Sequence, residues 1–221
     1  MKNKRTFSSL VLCLITAGLL LFFACGGGGG NNITGGGGDG GTTQKITMTT
    51  TVSGSTYIYL LGTGKAAIDW GDGKSDEVSL HYSNDVNDLW SHGGFNHSYA
   101  SALVKTITVT GAVTGFSGNG AGGASALNVS GCPALKFLGC YSENLNALDL
   151  SKNTELEYLR CNYNQLTVLD LSKNTKLVSL KCYFNDLTAL DVSKNTALEI
   201  LGCYYNDLTS LNITGLPSWR M

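Results

Sequence analysis

The chain has 221 residues, 43% of them hydrophobic, which is enough for one or two packed domains. Its formal net charge is −1 at pH 7, and its lysines and arginines do not gather into a basic patch. This balance argues against a nucleic-acid-binding protein, which needs a positively charged surface.

The first 24 residues have the pattern of a signal peptide. Lys2, Lys4 and Arg5 precede an apolar run from Leu10 to Phe23, which is the usual order of a positive region and a hydrophobic region in exported proteins. The run is shorter than the roughly 20 apolar residues of a membrane-spanning helix, and no charged stop follows it. Residues 1–24 are therefore predicted to direct export and to be removed.

The end of this run resembles a bacterial lipobox, because the small residue Ala24 comes immediately before Cys25. The resemblance implies that Cys25 is acylated, for example with palmitate, and becomes the first residue of a membrane-anchored lipoprotein. The alternative is an ordinary signal peptide that happens to contain a cysteine.

Residues 25–44 join this cysteine to a Gly-rich tether. The segment Gly26 to Gly41 contains eleven glycines and little apolar surface. We expect it to be a flexible coil that spans roughly 20–24 Å. Its expected role is to hold the folded part off the membrane, at the cell surface or outer membrane.

Residues 45–110 contain short β-type runs separated by Gly and Ser, with no helical period. The runs are 45–52, 56–61, 66–70 and 105–110. Two motifs in this segment, Ile68-Asp69-Trp70-Gly71-Asp72-Gly73 and His97-Ser98-Tyr99-Ala100, resemble the PKD-type β-sandwich. The resemblance implies a small β domain of the kind that serves surface proteins as a spacer or interaction module.

Two groups of polar residues in this segment have the side-chain types of metal ligands. They are His81, Asp85, Asp88, His92 and His97, and Asp69, Asp72, Asp76 and Glu77. The spacing of the first group matches no defined site, and His97 is expected instead to fix the Tyr99 strand by a hydrogen bond. The second group could bind calcium, but Gly-Asp-Gly is first of all a turn sequence. We therefore expect neither a metal nor another cofactor.

The strongest pattern lies in residues 111–221, where several columns of residues recur every 21 positions. The columns are Leu127, Leu148, Leu169, Leu190 and Leu211; Cys140, Cys161, Cys182 and Cys203; and Leu145, Leu166, Leu187 and Leu208. A fixed period of this size is typical of a solenoid. The unit from Leu177 to Leu187 reads L-x-x-L-x-C-x-x-N-x-L and resembles the leucine-rich repeat. This resemblance implies a short right-handed solenoid with a parallel sheet, so the whole chain is predicted to be mainly β.

Strand alternation predicts which side chains of a unit face inward. In Leu180-Lys181-Cys182 the leucine column lies on the opposite side from the lysine, and stacked strands about 4.8 Å apart turn each column into a ladder. The asparagines Asn164, Asn185 and Asn206 are predicted to form a buried ladder that satisfies turn backbone groups. The ladder cysteines are expected to be free core thiols; the alternative is a disulfide or metal site.

Two further features of the repeats concern the solvated rows and the ends. Asp149, Asp170 and Asp191 stack beside Lys152, Lys173 and Lys194, and we interpret them as solvated rows that screen each other rather than as an ion site. Phe116 is predicted to take the place of Leu138 in a degenerate first unit. Trp219 could cap the last unit, or the chain could be the front of a longer array.

The outward positions of the parallel sheet are the candidate surface. They are Phe137, Gly139 and Tyr141; Tyr158, Arg160 and Asn162; Ser179, Lys181 and Tyr183; and Ile200, Gly202 and Tyr204, with Ser142, Tyr163, Phe184 and Tyr205 just beyond. The residues predicted to contact a partner are Tyr141, Tyr158, Arg160, Tyr163, Lys181, Tyr183, Phe184, Tyr204 and Tyr205. Exposed aromatic side chains supply contact area at low entropic cost. They could equally pack on each other and strengthen the sheet.

The predicted function is therefore adhesion or recognition by a surface lipoprotein that binds a protein of a host or neighbouring cell. A glycan-binding lipoprotein is the alternative, because aromatic faces also stack on sugars. An enzyme is disfavoured, since the sequence shows no nucleophile with a plausible base, no phosphate-cradling loop and no spaced metal ligands.

Overall fold

The structure is a computed structural model that describes residues 44–85, 89, 94–119 and 123–216. This part of the chain is built from strands. They are β1 (Lys45–Thr50), β2 (Gly54–Asp69), β3 (Ser75–Ser79), β4 (Phe95–Tyr99), β5 (Lys105–Asn119), β6 (Ala124–Gly131), β7 (Phe137–Gly139), β8 (Tyr158–Arg160), β9 (Ser179–Lys181), β10 (Ala189–Asp191), β11 (Ile200–Gly202) and β12 (Ser210–Asn212).

The N-terminal strands form one antiparallel arrangement around the long strands β2 and β5. One edge of β2 pairs with β4 along its first half and with β3 along its second half, while the other edge pairs with β5. Strand β1 lies between β5 and β6. All of these strands belong to one hydrogen-bonded sheet. The mainly β character is confirmed, whereas a two-sheet sandwich of the PKD type is not shown.

Strand β5 joins the N-terminal sheet to the repeats. Its first residues pair antiparallel with β1, and its residues 115–117 pair in parallel with β7. Phe116 stands opposite Leu138, which confirms its predicted place in a degenerate first unit. The expected boundary between Thr110 and Gly111 therefore falls inside a continuous strand.

The repeats form a β-solenoid of stacked coils, as the 21-residue period predicts. Strands β7, β8, β9 and β11 pair in parallel, and Leu138, Leu159, Leu180 and Leu201 stand in register. On the far side of the coils, β10 and β12 form a second, two-stranded parallel sheet. The equivalent residues of the two preceding coils run there without strand pairing.

The leucine and cysteine ladders fill the interior of the solenoid. Cys140, Cys161 and Cys182 are buried and Cys203 is half-buried, and all are free thiols. Burial raises the pKa of each thiol above its ordinary value. The prediction of free core thiols is confirmed, and a single apolar core continues from Ile46 in the N-terminal sheet to Leu198 in the repeats.

The predicted asparagine ladder is also present. Asn185 illustrates it: its Oδ1 accepts a hydrogen bond from the Leu166 amide at 3.0 Å, and its Nδ2 donates to the carbonyls of Cys161 and Cys182 at 2.9 and 3.0 Å. Asn164 and Asn206 make the same three contacts in their own coils. The ladder therefore ties each coil to its neighbour through backbone groups that would otherwise be unpaired.

Glu143 takes the ladder position in the first full coil. Its carboxylate accepts a hydrogen bond from the Ala124 amide at 2.7 Å, so it replaces the acceptor function of the asparagine. An ionised carboxylate cannot donate. The Cys140 carbonyl instead receives the Nδ2 of Asn164 from the next coil.

A second asparagine ladder, which the sequence analysis did not predict, lies at the turns after Leu150, Leu171 and Val192. Asn153, Asn174 and Asn195 are fully buried. Each donates its Nδ2 to two backbone carbonyls at 2.8–3.1 Å. One of the two carbonyls belongs to the turn of the preceding coil, so this ladder fixes the spacing of the turns.

The row of aspartates on the far side of the coils serves the turns more than it serves charge balance. In each coil the Asp Oδ1 accepts the amide N–H two residues later, at 2.8–2.9 Å. These hydrogen bonds from Ser151, Ser172 and Ser193 lower the pKa of the aspartates more than the neighbouring lysines do. Asn212 makes the same bond to Thr214 at 3.1 Å in the last coil.

Several predictions fall on other parts of the chain. The signal peptide 1–24, the acylated Cys25, the tether up to Thr43, and Asp88, His92 and Trp219 all lie outside the described residues. Within the residues that are described, no helix has both the length and the apolar character to cross a membrane.

Candidate partner-binding face

Two columns of aromatic residues follow the short parallel strands of the solenoid. We call the five side chains Tyr163, Tyr183, Phe184, Tyr204 and Tyr205 the aromatic face. Tyr183 and Tyr204 come two residues after β9 and β11, and Tyr163, Phe184 and Tyr205 occupy the next position of their coils. The 21-residue period therefore places equivalent rings directly over one another.

The backbone of the second column is unusual for aromatic residues. Tyr163, Phe184 and Tyr205 have φ values of 58°, 55° and 53°, and Ser142 has 58° at the same position of the first coil. This left-handed conformation is uncommon for bulky residues and costs roughly 1–2 kcal/mol for each. The turn positions these rings outward in spite of the conformational cost.

The rings of the aromatic face form two stacks that interlock. Tyr163, Phe184 and Tyr205 stack at centroid distances of 4.5 and 4.2 Å, and Tyr183 stacks on Tyr204 at 4.6 Å. Edge contacts of 5.4–6.3 Å connect the two stacks at interplanar angles of 70–83°. Both arrangements are favourable for aromatic pairs.

The aromatic face is nevertheless open to solvent. The exposed fractions of Tyr163, Phe184, Tyr204 and Tyr205 are 48%, 37%, 45% and 68%, and Tyr183 is half-buried. Because neighbouring rings cover each other's faces within a stack, the surface consists mainly of ring edges and phenol groups. The stack interpretation and the binding interpretation of the sequence are thus geometrically compatible.

The N-terminal end of the predicted surface is covered, so part of that prediction is wrong. Phe137 is 1% exposed and packs in a small separate core with Leu61 and Leu89. Asn162 and Ser179 are also buried, because they are short side chains between larger neighbours in their columns. Chain segments that are distant in sequence close this end, and the open face begins beyond it.

Tyr141 and Tyr158 lie at the edge of the covered end and are half-buried. Tyr158 packs on the ring of Phe137 at a centroid distance of 5.3 Å. Desolvation raises the pKa of both phenols above the ordinary value. These two predicted site residues therefore form the boundary between the small core and the open face.

Beside the aromatic face lies a shallow depression of about 260 Å³ that contains two cations. Arg160 and Lys181 stand opposite each other on the adjacent strands β8 and β9. The depression is lined by Tyr141, Ser142, Arg160, Asn162, Tyr163, Lys181 and Tyr183. Burial, and then the adjacent guanidinium, hold the pKa of Lys181 below its ordinary value. All nine residues predicted to contact a partner lie on this side of the solenoid.

The acidic and histidine residues of the N-terminal sheet have protein partners instead of converging on an ion. His97 Nε2 lies 2.8 Å from the Asp72 carboxylate, and its ring stacks on Trp70. Asp69 and Asp72 accept turn amides, and Asp76 accepts the Trp70 indole N–H at 2.7 Å. Glu77 pairs with Lys65. In the described ranges no group of three or more His, Cys, Asp or Glu side chains is arranged to hold a metal.

The hydrogen bond of His97 fixes its strand to the Gly-Asp-Gly turn. Tyr99, two residues along β4, donates its hydroxyl to the Trp70 carbonyl at 2.7 Å. Burial raises the pKa of this phenol to about 12. The two motifs that resembled the PKD type therefore contact each other across the sheet and serve the fold.

Together, the fold and the exposed columns define the class as a leucine-rich-repeat-like β-solenoid with an aromatic face. No family model matches the chain, and no curated protein matches it. Among solved structures, the chain is similar to the functional domain of InlJ from Listeria monocytogenes, which includes a cysteine ladder. The identity is 36%, the match covers 52% of this chain and 26% of that chain, and the TM-score is 0.44. The match thus spans about a quarter of the length of that chain.

Proposed function

We propose that the protein is a displayed recognition module that binds a protein partner through the aromatic face. The observation that carries this proposal is the exposure of five stacked rings, three of them on strained turn residues. Tyr and Phe rings held rigidly by one another lose little side-chain entropy on binding. They can therefore serve as anchors for a partner surface.

The strained positions favour binding over a purely structural role. Ser142 adopts the same backbone conformation in the first coil, so the turn forms without an aromatic side chain. A stacking contribution of about 0.5–1.5 kcal/mol for each pair is comparable to the cost of the left-handed conformation. Stability alone therefore gives little reason for rings at these positions, whereas a contact surface does.

The way the rings stack favours a protein partner over a glycan. A sugar packs its C–H groups on the free face of an aromatic ring. In the aromatic face, most ring faces are occupied by the neighbouring ring at 4.2–4.6 Å. Ring edges and phenol hydroxyls remain outward, and these suit the mixed polar and apolar surface of a protein.

Display outside the cytoplasm is the part of the proposal that depends on the N-terminal residues. A signal peptide, acylation of Cys25 and a Gly-rich tether would place the solenoid at a cell surface or outer membrane, held by lipid. Mass spectrometry of the mature N-terminus tests this directly. A diacylated or triacylated peptide beginning at Cys25 is expected, and an unmodified Cys25 within a longer chain would contradict it.

The binding proposal is tested by affinity capture on intact neighbouring or host cells, followed by direct measurement with the identified protein. The double variant Tyr183→Ala, Tyr204→Ala is expected to weaken that binding at least tenfold. Val168→Ala is the matched control, because Val168 is a comparably exposed apolar residue on the far side of the coils. Since the double variant also loses one stack, its thermal unfolding must show a folded protein at the assay temperature. Unchanged affinity in a folded double variant would refute the assignment of this face.

No step of the proposal requires catalysis, and we propose a binding protein rather than an enzyme. Hydrolysis of a common ester, peptide or glycoside substrate by the purified chain would contradict this. A glycan array that gave specific signals, with no protein captured in parallel, would favour the glycan-binding alternative.

A further inference from the structure

We propose that Lys181, with Arg160 beside it, binds an acidic side chain of the protein partner. This inference rests on the proposed function, and it adds the chemistry of the group that the partner inserts. The depression next to the aromatic face is the site, and a glutamate or aspartate carboxylate is the ligand.

The register of the sheet isolates the two cations. Gly139, Arg160, Lys181 and Gly202 stand in one column on β7, β8, β9 and β11. The glycines at both ends give the cations no side-chain cover along the column. A Cβ at Gly202 would stand 3.4 Å from Tyr183 Cδ1, which is within ordinary contact distance. The column thus has space at Gly202, and the space is left open next to Lys181.

Like charges directly opposite on neighbouring strands repel each other. Lys181 is half-buried, which adds a desolvation cost to the repulsion. Lys65, Lys136 and Lys176 all form ion pairs with glutamates, and His97 pairs with an aspartate. In contrast, no carboxylate of the described residues lies within ion-pair distance of the Lys181 Nζ. Arg160 has a contact of its own, so the carboxylate is assigned to Lys181.

The charge and the surroundings of the depression specify the occupant. Its lining contains two cations, aromatic rings and small polar groups, and no acidic residue. One carboxylate would relieve the repulsion between the cations and could accept hydrogen bonds from both. The aromatic face begins at the same rings, Tyr163 and Tyr183, so an apolar residue next to the acid would pack there. The partner sequence is therefore expected to combine an acidic residue with apolar or aromatic neighbours.

The test uses an array of random peptides, with phosphopeptides and sialylated and neutral glycans on the same surface. It is probed with the full-length chain in detergent. Peptides bound by the unmodified protein are expected to be enriched in Asp and Glu next to apolar residues. Lys181→Gln should weaken binding of the acidic peptides about tenfold, as expected for a partly buried charge contact. Lys181→Arg should retain most of the binding.

Lys173→Gln is the matched control, because Lys173 belongs to the same coil but lies exposed on its far side. It changes the net charge equally and should alter affinity less than twofold. Thermal unfolding gives a second readout: Lys181→Gln should leave the melting temperature unchanged or raise it, because it removes a repulsion. A structural lysine would give the opposite sign.

The outcomes separate this inference from the proposed function. Peptide binding without enrichment of acidic residues, or an equal loss in both lysine variants, would overturn the lysine site and leave the aromatic face standing. A preference for phosphorylated or sialylated probes over carboxylate peptides would also overturn it. Absence of any peptide binding by the unmodified chain would count against the protein-recognition function itself.

Discussion

Replacement of Asn185 by alanine tests the asparagine ladder, and the structure allows its magnitude to be worked out. The residue is 7% exposed. Its loss leaves the Leu166 amide without an acceptor, because the methyl group of alanine cannot reach it. The Cys161 and Cys182 carbonyls lose one donor each but keep another, from Asn164 at 3.1 Å and from Asn206 at 3.0 Å.

An unpaired buried amide costs about 1–3 kcal/mol, and a carbonyl that keeps one of two hydrogen bonds loses about 0.5 kcal/mol. The free energy of unfolding should therefore fall by about 2–4 kcal/mol in Asn185→Ala. That is a large share of the roughly 5–15 kcal/mol by which folded domains are stable. Urea denaturation followed by circular dichroism measures the change.

Asn206→Ala is the matched control, because Asn206 makes the same three contacts at 3.0–3.1 Å but is half-exposed. Water can reach the groups that this substitution leaves unpaired, so the expected loss is about 1 kcal/mol. Equal losses in the two variants would refute the argument that burial makes the ladder costly to break. A loss below about 1 kcal/mol for Asn185→Ala would refute the ladder itself.

Three further predictions concern the face, the thiols and the turns. Tyr205→Asn should change the free energy of unfolding by less than about 1 kcal/mol, because asparagine tolerates the left-handed conformation and offsets the lost stacking; a larger destabilisation in urea would assign the ring a structural role. Alkylation of the folded protein, mapped by mass spectrometry, should modify Cys203 well before Cys161, because deeper burial raises the thiol pKa and blocks access; equal rates would contradict the buried ladder. The folded-state pKa of Asp170 is lowered by its turn, so its contribution is complete above the unfolded pKa of about 3.9 and is lost as the pH falls through the folded value. Asp170→Asn keeps the turn acceptor, as Asn212 does in the last coil, and should make thermal unfolding less sensitive to acid below about pH 4; an unchanged acid profile would count against the turn as the cause.

The sequence was sufficient for the solenoid because one rule, the 21-residue period, determines the register of every coil. It even predicted that Phe116 stands opposite Leu138 after a spacing of 22 residues. The ladder of Asn153, Asn174 and Asn195 was missed although it carries the same signal, an asparagine repeated at the same interval. The reasoning that applied to one asparagine column therefore applied to both.

Other features of the candidate site had no local signal. Phe137 reads as outward by strand alternation, and only the packing of Leu61 and Leu89 against it shows that this end of the face is covered. The positive φ of Phe184 could not be predicted from an aromatic residue type, which disfavours that conformation. Contacts between distant segments and strained backbone are the two properties that composition and periodicity do not encode.

Strand β5 serves both as a member of the N-terminal sheet and as the first rung below β7. An array of stacked repeats ordinarily frays at either terminus, since each outer repeat is held from one side alone. Here the lower terminus is welded to a broad sheet and shares its hydrophobic interior. Opening is thus confined to progress in one direction, from the half-exposed coil around Leu201 and Cys203 downward. The rings nearest the welded terminus keep their spacing longest as the array loosens.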